Sequence, residues 1–479
     1  MFKLTKLESL FNKLNISNKN SDNSNPGNSN SANIDHKNCS YCNKSFTEEL
    51  WCKECDPFMM IEGWSSGNNE IDKFIKDTNY DARNESTNKY PAKFLEWVPF
   101  NKFKDINQIG EGGFSKVYSA TWIGGPKIHK KYYEGLERWE KRRSEPIKVA
   151  LKRLNGSENM SAEYLNEIKI LWDLCQINNG CLSFYGMTKD PETEELIIIS
   201  EYADKGNLRS VLLHNFNNTL WKDKLLYLQW ITHGLNSLHK LGYFHKDFHS
   251  GNILQTTNPS VSNKNASYIS DFGLSGPSNK QKSNDKICGV LPYIAPEVLN
   301  GEPYSLSSDI YSFGIIMAEL SSGKPPFHKR NHDTTLALKI CNGLRPEFGK
   351  GTPEIYKKLA YKCMNANSNQ RPTASELCDI IKFWYESTYS YKKEKFGYKS
   401  EEIKAMFEEA DKEIPNISTI YEKNPDAIYT SRLFTFSNLT KPVNSSIITE
   451  YLNDEENNKD CQDSQLFDLE ISSSLQRQR

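Results

Sequence analysis

Tyr243-Phe244-His245-Lys246-Asp247-Phe248-His249-Ser250-Gly251-Asn252-Ile253-Leu254 sets a carboxylate and a carboxamide five residues apart on a loop with apolar residues on both sides. A carboxylate so placed can orient a hydroxyl nucleophile, and an amide oxygen can ligate a hard cation. Nineteen residues after Asn252 stands Asp271-Phe272-Gly273, a second carboxylate beside a glycine and suited to the same kind of ion. Upstream, Ile109-Gly110-Glu111-Gly112-Gly113-Phe114-Ser115-Lys116-Val117-Tyr118 fits a strand, a glycine turn and a second strand, where backbone N–H groups can approach phosphate oxygens because side chains are absent. Val149-Ala150-Leu151-Lys152 then ends a β-run on a lysine. Glu163 and Glu167 follow on a helical stretch from Ser161 to Leu174, and Glu167 is the acid expected to hold that lysine. Taken singly, the glycine hairpin reads as an ordinary turn and Lys152 as a solvated strand-edge side chain. In this order, closed by Ala295-Pro296-Glu297, they make coincidence improbable.

These motifs resemble those of the eukaryotic protein kinases over roughly 280 residues, a highly specific set. The resemblance implies an α+β, bilobal fold with a small β-rich N-lobe and a large helical C-lobe, using ATP and Mg²⁺. By that resemblance Lys152 contacts the α- and β-phosphates and pairs with Glu167, Asn252 and Asp271 hold magnesium, and Asp247 is the catalytic base. The nucleotide site would comprise Ile109, Gly110, Glu111, Gly112, Gly113, Phe114, Ser115, Lys116, Val117, Ala150, Lys152 and Leu254, with Ser200, Glu201 and Ala203 along a hinge at Glu201-Tyr202-Ala203. Leu171, Phe184, His245, Phe272 and Asp309 look like the spine that links the lobes, though each is equally a core residue. Asp309 resembles the buried acid that braces the catalytic loop, and Arg371 resembles the partner of Glu297.

The departures bear on control and acceptor. Ser115 stands at the third glycine of the loop pattern, and Lys246 replaces the arginine before Asp247, so a phosphate on the activation segment would meet a point charge rather than a planar fork. Ser275, Ser278 and Ser283 are the candidate acceptors there, each singly read as an ordinary exposed-loop serine, while Tyr293 reads as packed. His249 and Val290 occupy positions where Ser/Thr kinases carry lysine and Ser or Thr, yet no tyrosine-kinase loop is present. The pattern resembles the tyrosine-kinase-like group and the expanded kinase families of symbiotic, mycorrhizal fungi. A Ser/Thr acceptor is favoured, with dual specificity open. Ser200 resembles a small gatekeeper residue.

Around this core, 60 Lys+Arg against 61 Asp+Glu give a net charge of −1, which argues against a nucleic-acid partner. The longest clear apolar run, Leu196-Ile197-Ile198-Ile199, is strand-sized, so no membrane span and a soluble, cytoplasmic protein are expected. The expected organisation is a disordered tail over 1–38, a four-cysteine zinc module over 39–60, a connecting segment over 61–102, the kinase domain over 103–385 with a surface insertion at 123–148, and an extension over 386–479. In that extension Ser400 can cap a helix of about 400–414 carrying Ile403, Met406, Phe407 and Ala410 in one stripe, followed by a mostly disordered acidic tail. Cys39, Cys42, Cys52 and Cys55 suit structural zinc, with unligated thiols the alternative. Partners would be protein substrates, with a further protein at the cysteine module or the C-terminal helix. The competing function is a pseudokinase scaffold, although pseudokinases commonly lose one of the residues kept here as Lys152, Asp247 and Asp271.

Overall fold

The computed structural model describes residues 65–85, 93–112, 115–132, 138–157, 162–177, 181–258, 264–277, 287–389, 393–436 and 439–453. The expectations for 1–38, for the module with Cys39, Cys42, Cys52 and Cys55, for Gly113, Phe114, Ser278 and Ser283, and for the chain beyond 453 lie outside these residues.

The small lobe is a six-stranded sheet in the order Glu96–Trp97, Phe184–Lys189, Leu196–Glu201, Ile147–Leu154, Ser115–Trp122, Phe103–Glu111. Alternation along Ile147–Leu154 turns Val149 and Leu151 into a cluster with Phe103, Trp122, Ile197 and Ile199, and turns Ala150 and Lys152 toward the other face. Leu196 to Ile199 are all buried, as a strand covered on both faces must be, which accounts for their unbroken apolar run. The helix Ala162–Gln176 covers the second face with Ile168, Ile170 and Leu174. Between the strands of the glycine hairpin and of Lys152, Lys127–Tyr132 and Arg138–Arg143 pair with each other as a separate ribbon.

Residues 61–102 are more than a connection. The helix Asn69–Glu85, started by the Asn68 side chain accepting from the N–H of Glu70 (2.9 Å), buries Ile71 and Ile75 against this lobe. Asn79 Nδ2 donates to Leu95 O at 2.9 Å, and Glu96–Trp97 then joins the sheet in parallel beside Gly186. Gly186 has φ +149°, and a Cβ there would lie 1.8 Å from Glu96 O, so this edge closes only on glycine.

In the large lobe the helix Leu306–Ser322 is buried nearly all round and lies beside Trp221–Lys240. The helix Ser400–Asp411 docks here: Ile403, Phe407 and Ala410 are buried, and the Phe407 ring lies 5.5 Å from Trp221 and 5.8 Å from Trp384. Ser400 is the first helical residue rather than the cap. Its hydroxyl donates to Lys393 O (2.9 Å), and Glu402 meets the Lys399 N–H at 3.0 Å.

The expectation of a mostly disordered chain past 414 is corrected over 415–436 and 439–453. Asn424 N donates to His328 O (2.9 Å), His332 N to Asp426 O (3.1 Å) and Val443 N to Cys341 O (2.9 Å), while Ala427 and Ile448 are buried. Arg432–Phe434 pairs antiparallel with Ile287–Gly289. Main-chain hydrogen bonds hold much of 415–436, where they leave no periodic apolar pattern to read, and Ser446–Asn453 is a short helix that buries Ile448.

Candidate active site

The loop 243–254 is pinned from below by Asp309. Its carboxylate accepts from the N–H of His245 (2.7 Å) and of Lys246 (3.1 Å) and lies 3.0 Å from His239 Nε2. Lys246 has φ +72°, a left-handed conformation that a lysine holds at a cost of about 1–3 kcal/mol, and these bonds fix it. The loop thereby turns Asp247 into a cleft of about 520 Å³ between the lobes.

Asp247 is 6% exposed. Asn252 Nδ2 donates to its main-chain oxygen (3.0 Å) and to Oδ2 (3.3 Å), Ser431 Oγ donates to the same Oδ2, and His249 Nε2 lies 3.6 Å away. Oδ1 is buried with no hydrogen-bond partner among the described residues. Burial alone would raise this carboxyl, but His249, the Ser431 hydroxyl and His245 outweigh it and bring it down to about 2, so it is ionised across the physiological range. His249 Nδ1 accepts from Gly251 N at 3.0 Å, which leaves Nε2 to face Asp247. The histidine therefore keeps a polar group beside the base where a lysine was missed, while Val290 is plain buried core.

Lys152 Nζ lies 2.5 Å from Glu167 Oε1 and 2.8 Å from Asp271 Oδ1. Burial works to lower the lysine pKa, and the two carboxylates reverse it, holding the ammonium above its ordinary value. Glu167 is pushed up by burial against the pull of Lys152. Asp271 is held below the usual carboxylate range because Lys152 outweighs desolvation. Asp271 also has φ +65°, and Phe272 packs inward at 2% exposure, its ring 5.3 Å from His245. His245, Phe272 and Phe184 are all buried, with Leu171 partly so, and Asp309 lies below them.

The register carries the remaining positions. Val117 pairs with Lys152, and Ala150 with Ser200. Ile109, Gly110, Glu111, Gly112, Ser115, Val117, Ala150, Ser200, Glu201, Ala203 and Leu254 all line the cleft with Asp247, Asn252 and Asp271. Lys116 does not. It points away and lies 3.6 Å from Glu111 on the neighbouring strand.

Asn252, its amide nitrogen engaged by Asp247, keeps Oδ1 as an acceptor, and Asp271 opens to the same cleft. Oxygen donors of this kind fit Mg²⁺, which takes few protein ligands and completes its shell with phosphate and water. Glu297 and Arg371 form a buried bidentate pair at 2.7 and 2.6 Å, with Arg371 Nε also donating to Asn365 O (2.8 Å). Tyr293 is packed, its hydroxyl donating to Glu319 Oε2 at 2.6 Å, and Ser275 is buried with its hydroxyl on His245 O (3.2 Å). Tyr429, Thr430 and Ser431 also line the cleft, and no local signal in the sequence marks them.

The family model described as protein tyrosine and serine/threonine kinase matches residues 103–381. A probable serine/threonine-protein kinase of Dictyostelium discoideum is 26% identical over 324 residues, 64% of this chain and 16% of that protein. Another from the same organism is 33% identical over 292 residues, 59% of this chain and 8% of its own length. A putative serine/threonine-protein kinase/receptor of Acanthamoeba polyphaga mimivirus is 29% identical over 290 residues, 60% of this chain and 16% of its own. The chain thus spans less than a fifth of the length of each of these relatives.

Proposed function

Because this chain belongs to the protein tyrosine and serine/threonine kinase family, we propose that it transfers the γ-phosphate of ATP to protein hydroxyls, with serine and threonine as acceptors. One observation carries the proposal: Lys152 lies between Glu167 and Asp271 on the same cleft as Asp247 and Asn252. Magnesium-bound ATP supplies the phosphoryl group and offsets the charge that develops as it transfers. Asn252 and Asp271 would hold the ion, and Lys152, kept protonated by its two carboxylates, would orient the phosphates. Asp247, ionised in the cleft, would accept a hydrogen bond from the incoming hydroxyl and take its proton as the new bond forms. Positioning and fixed charge do most of the work.

Assignment to the tyrosine-kinase-like group and likeness to the mycorrhizal fungal kinases are proposals resting on the motif departures, and cytoplasmic residence is a proposal resting on the scattered single cysteines. Structural zinc at Cys39, Cys42, Cys52 and Cys55, and a partner protein at that module or on the outer face of the helix Ser400–Asp411, are likewise proposals. Among the described residues no helix is long and apolar enough to cross a membrane. The scaffold alternative draws on Ser115 in the glycine loop, Lys246, His249 and Val290, but Lys152, Asp247 and Asp271 are all in place against it. Transfer from γ-labelled ATP to a mixed peptide library, scored separately for Ser, Thr and Tyr, tests the proposal. Asp247→Asn is expected to lose about 10²–10⁴-fold in rate. Wild-type protein that binds ATP yet labels no peptide under any activating treatment would sink it.

A further inference from the structure

The segment that crosses the mouth of the cleft has the features of a bound peptide. Arg432–Phe434 adds to Ile287–Gly289 as an antiparallel strand, with Arg432 opposite Gly289, Leu433 opposite Cys288 and Phe434 opposite Ile287. This is strand addition, a common way for a folded domain to hold an extended chain. Directly before the paired residues, Ser431 donates its hydroxyl to Oδ2 of Asp247. Upstream, Arg209 Nη1 donates to Tyr429 O (3.2 Å) with its guanidinium 4.8 Å from the Tyr429 ring, and the Tyr429 hydroxyl turns away to Pro326 O (2.9 Å). The Ile428 carbonyl lies 2.8 Å from His332 Nδ1. Backbone pairing on one side of Ser431 and the Arg209 and His332 contacts on the other thus aim one hydroxyl at the carboxylate. Gly289, opposite Arg432 in this pairing, lies beside the other carboxylate oxygen: a Cβ there would stand 3.3 Å from Asp247 Oδ1.

We propose that residues 428–434 are an internal peptide substrate and that Ser431 is phosphorylated in cis by its own cleft. The inference rests on the phosphotransfer reading above and names an acceptor for it. In the step, Asp247 takes the Ser431 hydroxyl proton, Oγ bonds to the γ-phosphorus of ATP, the bond from that phosphorus to the β,γ-bridging oxygen breaks, and ADP leaves. Before the step, the docked strand occupies the place where another peptide would lie. After it, a phosphate of nearly two negative charges stands against Asp247, and like-charge repulsion expels the strand. The chain is therefore its own first substrate, and the reaction clears the site for others.

The experiment uses the full chain with Mg²⁺ and ATP, phosphosite mapping, and a generic Ser/Thr peptide as a second acceptor. Phosphate is expected on Ser431 at a rate per molecule that does not change over a wide range of protein concentration. Wild-type protein should leave Ser431 of an added Asp247→Asn chain unlabelled. Peptide phosphorylation should begin with a lag that matches Ser431 labelling. Phe434→Pro lacks an N–H for the pairing, so it should start without a lag. If the strand is seated nine-tenths of the time, its release raises the initial peptide rate roughly tenfold. Peptide labelled while Ser431 stays bare overturns the inference and leaves the kinase reading intact, as does Ser431 labelling whose rate rises with concentration. No transfer to any acceptor by wild type or Phe434→Pro overturns both.

Discussion

Lys224 lies in the first turn of the helix Trp221–Lys240 at 0% exposure, and its ammonium has no hydrogen-bond partner among the described residues. It sits 4.0 Å from the ring of Phe216 and 4.7 Å from that of Trp221. Burial lowers its pKa to about 7, with Asp411 pulling weakly the other way. In the unfolded chain it returns to 10.5. Between those values the unfolded state binds the extra proton, so the group destabilises the fold fully below about pH 7 and ceases to do so above 10.5. The gap corresponds to an upper limit of ~5 kcal/mol. Losing the two cation–π contacts gives back roughly 2 kcal/mol of that. Lys224→Met keeps the volume without the charge and is expected to raise stability by a few kcal/mol at pH 6.5, with the gain shrinking steadily toward pH 10. Urea unfolding of both proteins at half-unit steps from pH 6 to 10, compared by midpoint, measures it. A variant no more stable than wild type at pH 6.5, or one whose advantage is flat with pH, would refute the reasoning.

Arg371→Leu leaves the Glu297 carboxylate buried without its fork, and a loss of about 3–5 kcal/mol is expected in the same unfolding assay; an unchanged midpoint would mean that water replaces the guanidinium. Ser200 pairs in register with Ala150 on the cleft wall, so adenine-site inhibitors with bulky substituents should bind wild type well and lose potency at least roughly tenfold against Ser200→Met, a steric cost of a clash in a close-packed wall. Equal inhibition constants would show that the back of the cleft is closed. For Cys39, Cys42, Cys52 and Cys55, metal analysis should find one zinc per chain that a chelator releases. Folded protein purified free of metal would remove the zinc proposal.

Much of the site was legible because its chemistry is written in short runs. Strand alternation places Ala150 and Lys152 on one face, and a tight loop holds Asp247 and Asn252 close enough to bond. Both depend on local backbone geometry. The pairing with Glu167 is less local, since no backbone period makes an acid fifteen residues away meet Lys152; the lobe's packing brings them to 2.5 Å. Lys116 shows the limit of carrying a motif as a block, because the same alternation that turns Val117 inward turns it out.

The helix Asn69–Glu85 had a capping residue and apolar positions at Ile71 and Ile75, but short polar sequence around them masked the pattern. Between residues 415 and 431 there was no such pattern. Ser431 meets Asp247 across 184 residues, and Arg432–Phe434 finds its partner strand at Ile287–Gly289. The sequence alone determined which groups could do chemistry and the local geometry that presents them, since those follow from side-chain type and backbone period. Only the tertiary structure decided that a serine with no motif stands at the base: around it the segment is held through its main chain, by strand pairing and by Arg209 and His332 at carbonyl oxygens, and backbone groups leave no mark in the segment's order of side chains.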